Sequence, residues 1–401
     1  MSKVVLISDK LPPDFGGMES HGYEFIRYFS QNKKWKLSSA LTFKPEEVPD
    51  SLSIAQTTDS ALMNNYVKPT LTFESTKNIG ELIRELATEN IQSEDIIFFN
   101  SMWWIRVFDQ LKKELPDVKL YFRSGGNDIL QSNIVGKGNT LNERRKYAVE
   151  QINNYVDTLV VNSEYSLNAF KKLGIKNEIM LKLTGGVDVS RFQPVADKRN
   201  MKKSLGVSAD VPLIIGTGRL VPFKGFYSAI EALATLNNLP FQYLIVGDGP
   251  EKDSIQQAIT KNHLENKVHM YGGANFLDIH NLYQAADIYF HFPIKWIREV
   301  QGGNYVHTET MGRSFIESSA CGIPSLGSLV GGVPEVVQHG KTGYLAKEKN
   351  IQQVAKYLTE LIEDKDLRIK MGTDARINAI SHFSWDVLFE AYMQNDTRRT
   401  K

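Results

Sequence analysis

The chain has 401 residues, of which 42% are apolar and 23% are charged. Lysine and arginine number 47 against 46 aspartates and glutamates, so the formal charge is +1 and a dedicated nucleic-acid-binding protein is disfavoured. The length predicts two globular domains, or at most three.

A single cysteine, Cys321, excludes an intramolecular disulfide and any multi-cysteine metal site, which fits a reducing compartment. The first apolar run, Val4 to Ile7, is too short for a signal-peptide core or a membrane span. We therefore expect a cytoplasmic protein. Peripheral contact with the inner face of a membrane stays open through two basic clusters, 33–36 and 144–146, although such clusters are more often solvated helix faces.

Short apolar runs alternate with longer segments of helical period in both halves of the chain. This alternation predicts βαβ units, and the unbroken apolarity of the runs predicts parallel strands covered on both faces. The predicted strands are Val4–Ser8, Ile96–Phe99, Leu120–Phe122, Thr158–Val161, Leu213–Ile215, Tyr243–Val246, Val268–Tyr271, Ile288–Phe290 and Ser325–Leu326.

The segment 184–194 contains two glycines and Pro194 and interrupts every periodic pattern, so we interpret it as the linker between domains. A short helix is expected over 197–205. The resulting prediction is an α/β protein with two Rossmann-like doubly wound domains, 1–190 and 191–383, facing each other across a cleft. In such folds ligands bind outside the carboxyl ends of the strands.

Two loops that follow predicted strands have the composition of anion sites. Gly16 and Gly17 precede a helix expected to begin near Glu19, where backbone amides can approach an anion, although a plain tight turn explains the pair as well. Arg219 and Lys224 lie on a glycine-rich loop after the strand Leu213–Ile215. They can converge on a diphosphate, the alternative being two solvated cations.

A third segment pairs carboxylates with a helix N-terminus. Glu309 precedes Gly312 at an apparent helix start, and Glu317 lies about two turns further on. The helix N-terminus offers amides to a phosphate, while the two carboxylates can accept hydrogen bonds from hydroxyl groups. Combined with the cationic loop, this composition is typical of a nucleotide-sugar pocket.

Several motifs, in this order along most of the chain, resemble the retaining glycosyltransferases of family 4, which have the GT-B fold. They are Pro-Pro-x-x-Gly-Gly at 12–17, Asn162-Ser163, Gly185-Gly186-Val187-Asp188 with Arg191-Phe192-x-Pro194, Gly218-Arg219-Leu220 with Lys224-Gly225, Val246-Gly247-Asp248-Gly249-Pro250, Glu309 with Glu317, Gly331-Gly332-Val333-Pro334-Glu335, and Phe383-Ser384-Trp385.

The resemblance implies roles for particular residues. The catalytic residues would be Arg219 and Lys224, which bind the donor diphosphate, and Glu309, which contacts hydroxyls of the donor sugar. The donor diphosphate would also be bound by Gly16 and Gly17 and by the amides near Gly312 and Arg313. Glu317 would bind the ribose diol. The base would lie beside Gly272, Gly273 and Ala274. A C-terminal helix, about 384–401, is expected to cross back onto the first domain, which would bind the acceptor.

The resemblance further implies transfer with retention of anomeric configuration from a UDP-sugar or GDP-sugar, with no metal and no cofactor beyond that donor. The leaving diphosphate would take the acceptor proton. The implied acceptor is a glycan or a lipid-linked molecule, in the biosynthesis of a surface polysaccharide, lipopolysaccharide or glycolipid.

Two features depart from the family pattern. Many members have a histidine after a first-domain strand, and here the corresponding stretch, 121–128, has none. Arg123, Asn127 or Asp128 are the candidates to replace its sugar contact. The segment 293–308 is longer than usual, and we interpret it as a lid, an acceptor-specificity loop or irregular structure.

Two other functions are compatible with the same residues, and four further residues are conspicuous. A sugar-nucleotide epimerase or hydrolase on the same fold would use Glu309 or an aspartate of the first domain as a general acid or base. A non-catalytic partner would only bind nucleotide or glycan. Cys321 is expected in the core. Trp103 and Trp104 fit core packing or an acceptor contact equally, and His21 fits packing or a ligand contact.

Overall fold

The computed structural model describes residues 2–9, 11, 17–44, 60–131, 138–275 and 278–399. The chain divides into two compact units. The first contains Met1–Gly185, Arg298–Tyr305 and Trp385–Lys401, and the second contains Gly186–Ile297 and Val306–Ser384. This division differs from the predicted domains at two places: it falls after residue 185 instead of 190, and 298–305 group with the first unit.

The first unit is built on a seven-stranded parallel sheet of order β3-β2-β1-β4-β5-β6-β7. Its strands are β1 (Ser2–Ile7), β2 (Trp35–Phe43), β3 (Val67–Leu71), β4 (Ile96–Phe99), β5 (Lys119–Arg123), β6 (Thr158–Val161) and β7 (Met180–Lys182). Its helices are α1 (Gly17–Phe29), α2 (Ser60–Tyr66), α3 (Gly80–Thr88), α4 (Phe108–Glu114), α5 (Asn127–Gln131), α6 (Leu141–Tyr155), α7 (Glu164–Leu173) and α16 (Trp385–Arg399).

Alternating side chains of the buried strands supply two separate cores. In β1, Val5 and Ile7 belong to the core on one face, while Val4 and Leu6 belong to the core on the other. The second of these cores includes Phe389 and neighbouring aromatic residues of α16. Burial on both faces explains why the central strands are unbroken apolar runs.

The second unit is built on a six-stranded parallel sheet of order β10-β9-β8-β11-β14-β15. Its strands are β8 (Leu213–Thr217), β9 (Gln242–Val246), β10 (Val268–Gly272), β11 (Ile288–Phe290), β14 (Ser325–Ser328) and β15 (Gly343–Ala346). Its helices are α8 (Arg199–Ser204), α9 (Phe226–Ala234), α10 (Lys252–Lys261), α11 (Ile279–Ala285), α12 (Arg313–Ala320), α13 (Val333–Val336), α14 (Ile351–Glu363) and α15 (Lys365–Phe383).

This sheet is also buried on both faces, with Ile214 and Ile215 of β8 in opposite cores. The strand order reverses between β8 and β11, and in doubly wound folds ligands bind at the carboxyl ends of the strands beside such a reversal. Two Rossmann-like α/β units therefore confirm the predicted fold class. No helix within the described residues is long and apolar enough to cross a membrane.

The unusually long segment before Glu309 is a β-hairpin. Its strands are β12 (Trp296–Val300) and β13 (Gly303–His307), which form a two-stranded sheet of their own. At the hairpin tip, the carbonyl of Gln301 accepts a hydrogen bond from the amide of Leu141 at 3.2 Å. Irregular structure is therefore excluded as the interpretation of this segment.

Candidate functional site in the second unit

The loop that carries Arg219 is fixed by the glycine-rich loop after β9. The amide of Gly218 donates to Val246 O at 3.0 Å, and the amide of Leu220 donates to Asp248 O at 2.9 Å. Gly247 has φ 153°, and a Cβ there would clash with the carbonyl of Gly218. The motif at 246–250 thus supports the backbone of the cationic loop.

Two cations lie on this loop in different environments. Arg219 is exposed, and within the described part of the chain its guanidinium makes no hydrogen bond or ion pair. Lys224 lies at the end of a short 3₁₀ helix, Pro222–Lys224, and its ammonium pairs with the carboxylate of Glu309. The loop thus carries one exposed guanidinium and one ammonium that is paired with a carboxylate.

Glu309 is held as an anion although its side chain is only 13% exposed. Burial favours a raised pKa, but the charge of Lys224, the proximity of His291 and a hydrogen bond from the amide of Gly312 together hold the pKa of Glu309 below its ordinary value. The Gly312 amide donates to Oε1 at 3.1 Å. Glu309 is therefore an ionised hydrogen-bond acceptor at neutral pH.

Two glycine positions shape the start of α12 around Glu309. Gly312 has φ 86° and forms the N-cap of the helix, a conformation that favours glycine. A Cβ at Gly331 would clash with the carbonyl of Glu309, and the same carbonyl accepts a hydrogen bond from Gly332 N at 3.0 Å. The Gly331-Gly332 motif thus permits a close backbone approach that fixes Glu309.

Glu317 belongs to a hydrogen-bonded chain within the same unit. Arg313 Nη2 donates to its Oε1 at 3.0 Å, and the Tyr283 hydroxyl donates to its Oε2 at 2.9 Å. Because that phenol has only one proton, the hydroxyl of Thr217, 2.6 Å from it, is the donor of their hydrogen bond. The carboxylate is thereby oriented, and its remaining lone pairs are available to a ligand.

His291 lies behind the ion pair, directly after β11. Its ring is fully buried and stacks on Phe226 and Phe315, and burial, followed by the positive charge of Lys224, lowers its pKa to about 3. Its Nδ1 is 3.3 Å from the hydroxyl of Tyr289. His291 is therefore neutral at neutral pH and adds no charge to the site.

The structure places the remaining predicted residues separately. Gly272 ends β10 with φ 85°, and a Cβ there would meet no atom of the described residues within 4 Å. Gly17 is the first residue of α1 in the first unit. Gly16 lies outside the described residues. The second unit alone thus brings together Arg219, Lys224, Glu309, Gly312, Arg313 and Glu317.

Arg123, a candidate replacement for the missing histidine, is buried at the end of β5 in the first unit. It donates to Asn100 Oδ1 at 3.4 Å and to the hydroxyl of Tyr392 on α16. The same hydroxyl is 3.1 Å from Nε2 of His21, which is packed among aromatic rings. Arg123 and His21 therefore help attach α16 to the first unit. The side chain of Asp128 lies outside the described residues.

Other conspicuous residues are structural. Cys321 is buried, and burial raises the pKa of its thiol, which confirms the core interpretation. Trp104 is fully buried, and Trp103 packs against the same core. In the basic cluster on α6, the guanidinium of Arg145 donates to the carbonyl of Leu130 at 2.9 Å.

Sequence reasoning missed Tyr283, Thr217 and His291. His291 follows a predicted strand, and that position is the signal that would have found it. Tyr283 lies in α11 with no motif around it, and only tertiary packing brings it to Glu317.

Among the described residues, no group of three or more His, Cys, Asp or Glu side chains is placed to hold a metal ion.

Comparison with known proteins identifies the class to which this site belongs. The family model of the glycosyl transferases group 1 matches residues 197–378, which include Arg219, Lys224, Glu309 and Glu317. A GDP-mannose-dependent monoacylated alpha-(1-6)-phosphatidylinositol monomannoside mannosyltransferase from Corynebacterium glutamicum is 28% identical over 97% of this chain and 96% of its own length. A GDP-mannose-dependent alpha-(1-6)-phosphatidylinositol monomannoside mannosyltransferase from Mycobacterium tuberculosis is 24% identical over the same shares.

Solved structures have the same fold. HepE from Anabaena, crystallised in complex with UDP and glucose, superposes with a TM-score of 0.74 at 22% identity and covers 99% of this chain and 100% of its own. A sucrose-phosphate synthase from Thermosynechococcus elongatus superposes with a TM-score of 0.75 at 19% identity, covering 100% and 99%.

The fold and the matched family define an enzyme that transfers a sugar from a nucleotide-sugar donor to a glycan or lipid-linked acceptor. The glycosyl transferases group 1 model matches the second unit over 197–378, and the chain has the GT-B fold, in agreement with the resemblance that its motifs showed.

Proposed function

We propose that the second unit binds a nucleoside diphosphate hexose through Arg219 and Lys224 and that the first unit binds a lipid-linked acceptor. The proposal depends above all on one observation, the ion pair between Lys224 and an ionised Glu309. Lys224 lies on the same loop as Arg219, and this loop follows β8, where the strand order reverses. A cation already held by a carboxylate is pre-oriented for a second anionic partner. The C. glutamicum and M. tuberculosis relatives make GDP-mannose the first donor to test, with UDP-glucose next.

In the proposed reaction the bond between the anomeric carbon and the diphosphate oxygen breaks while the acceptor hydroxyl attacks from the same face. Because the attack comes from the face that the leaving group occupies, configuration is retained. The proton of that hydroxyl passes to a leaving diphosphate oxygen. Arg219, Lys224 and the amides of Gly312 and Arg313 stabilise the negative charge that grows on the diphosphate, and no metal is required. Removing one such donor from a preorganised site costs on the order of a hundredfold to a thousandfold in kcat.

Within this proposal Glu309 accepts hydrogen bonds from hydroxyls of the donor sugar, and Glu317 accepts them from the ribose diol. The base lies beside Gly272, where a Cβ would meet no atom of the described residues within 4 Å. The product is a glycolipid, which implies that the enzyme works at a membrane surface.

The proposal is tested by product analysis with the purified enzyme. GDP-mannose or UDP-glucose is incubated with and without a phosphatidylinositol-containing lipid extract, in EDTA and in Mg²⁺. We expect hexosylated lipid with retained configuration, and nucleoside diphosphate release that depends on the extract but not on the metal. Arg219→Ala should abolish most turnover, whereas Arg199→Ala, which removes an exposed partner of Asp210, should not. Free hexose or an isomerised donor without lipid dependence would contradict the proposal.

A further inference from the structure

The β-hairpin places a series of aromatic rings against the turn that carries Lys224. The ring of His307, the last residue of β13, stacks on Phe223 with centroids 4.6 Å apart and planes 11° apart. Trp296, the first residue of β12, stacks on His307 with centroids 6.0 Å apart and planes 18° apart. Phe223 is buried, and the rings of His307 and Trp296 are half-buried, so the stack extends outward from the ring of Phe223.

The backbone of the same turn is held by the end of strand β11 and the residues after it. The amide of Ile294 donates to the carbonyl of Phe223 at 2.8 Å. Gly225 has φ 69°, and a Cβ there would clash with the carbonyl of Phe292. The turn is thus fixed through its backbone by 292–294, while the ring of Phe223 is fixed by His307.

This arrangement connects both partners of the ion pair. Phe223 immediately precedes Lys224, whose ammonium lies 5.6 Å from the centre of the Phe223 ring. His307 lies two residues before Glu309 along the chain. A displacement of the His307 ring would therefore release the Phe223 ring that adjoins the Lys224 ammonium and disturb the segment that leads into Glu309.

We propose that His307 is a positioning residue for the donor diphosphate. Its ring fixes Phe223 and hence the direction of the Lys224 ammonium, without touching the donor itself. This inference rests on the proposed function, in which Lys224 binds the diphosphate. It assigns the hairpin to donor binding, in place of the lid or acceptor-specificity role that its length suggested.

The first test compares His307→Ala with His307→Phe, which restores a flat ring. The measurements are Kd for GDP and UDP, and kcat with separate KM values for donor and acceptor. Because small misplacements of a binding group are costly, His307→Ala should raise Kd and donor KM and lower kcat/KM for donor about tenfold or more. His307→Phe should stay within about threefold of wild type, and the acceptor KM should not change.

A matched control is His382→Ala on α15, where the exposed imidazole is hydrogen-bonded to the carbonyl of Asn378 and lies beside the ring of Phe383, both within its own helix. It should leave every constant unchanged. Should His307→Ala fail to fold, Phe223→Leu removes the stack from its other end and keeps an apolar side chain. It should reproduce the loss of donor affinity. Wild-type donor constants in His307→Ala, or a change confined to the acceptor KM, would overturn the proposal.

A double-mutant cycle separates this proposal from the one it rests on. Since His307 is argued to act through Lys224, His307→Ala should add little to Lys224→Ala. Additive losses would overturn the positioning role while leaving the diphosphate assignment intact. If Lys224→Ala alone left nucleotide binding unchanged, the assignment of Lys224 itself would fail.

Discussion

The ion pair between Lys224 and Glu309 gives a prediction about stability that is independent of any substrate. The two side chains are 17% and 13% exposed. Removing one partner of a buried pair costs about 3–5 kcal/mol, whereas exposed pairs contribute about 0–1 kcal/mol. The amide of Gly312 continues to satisfy one oxygen of Glu309. We therefore expect Lys224→Met, which keeps most of the apolar stem, to lose about 2–3 kcal/mol at pH 7.

The pH dependence of this loss has a definite sign. Because the pKa of Glu309 is lowered on folding, its contribution is fully present above the unfolded-state pKa of about 4.3 and is lost as the pH falls through the folded-state pKa. In Lys224→Met that contribution is absent. The stability gap between wild type and variant should therefore be large at pH 7 and shrink below about pH 4.

The assay is urea unfolding of both proteins at pH 7, 5.5, 4 and 3.5, without nucleotide. The matched control is Lys252→Met, which removes an exposed pair with Asp248 whose side chains are 52% and 64% exposed. That variant should stay within about 0.5 kcal/mol of wild type at every pH. A Lys224→Met protein as stable as wild type at pH 7, or a gap that widens towards acid, would refute the reasoning.

Three further predictions concern the second unit. Arg376 donates to three backbone carbonyls at 2.6 to 2.8 Å, so Arg376→Ala should lose about 2–4 kcal/mol in urea unfolding, against less than about 0.5 kcal/mol for the exposed Lys370→Ala. Gly225→Ala should lower the free energy of unfolding by about 1–3 kcal/mol more than Gly206→Ala. The two glycines have similar φ values, 69° and 71°, but of the two only Gly225 would place its Cβ against another atom, the carbonyl oxygen of Phe292; equal losses would contradict this close contact. Glu317→Gln should weaken GDP or UDP binding about tenfold by calorimetry, and an unchanged Kd would count against the ribose assignment.

The central strands were predictable because burial on both faces leaves a simple signal. Strands such as β4 and β8 are short, unbroken apolar runs, and their predicted bounds differ little from those in the structure. The prediction omitted β2, β3, β7 and β15 of the two large sheets and both strands of the hairpin. In β3 the residues Lys68 and Pro69 interrupt the run, and β7 is three partly exposed residues at the sheet edge. Edge and half-exposed strands carry no comparable pattern.

The candidate site was predictable where it depends on loops that follow strands. Arg219 and Lys224 could be grouped from sequence because both lie on the loop after the predicted strand at 213–215, and Glu309 could be added because it precedes a recognisable helix start. Tyr283 and His307 could not be grouped with them. Their contributions depend on the packing of a helix and a hairpin against the site, and no local spacing encodes that packing.

Titration of GDP and UDP into the wild-type enzyme, Lys224→Ala and Arg219→Ala tests the central claim most directly. We predict saturable binding of at least one nucleotide to wild type, with stabilisation of about 2.7 kcal/mol at a hundred times Kd. Both variants should bind that nucleotide at least about tenfold more weakly. Absence of binding to the wild-type enzyme, or equal affinity in all three proteins, would contradict a diphosphate site on this loop.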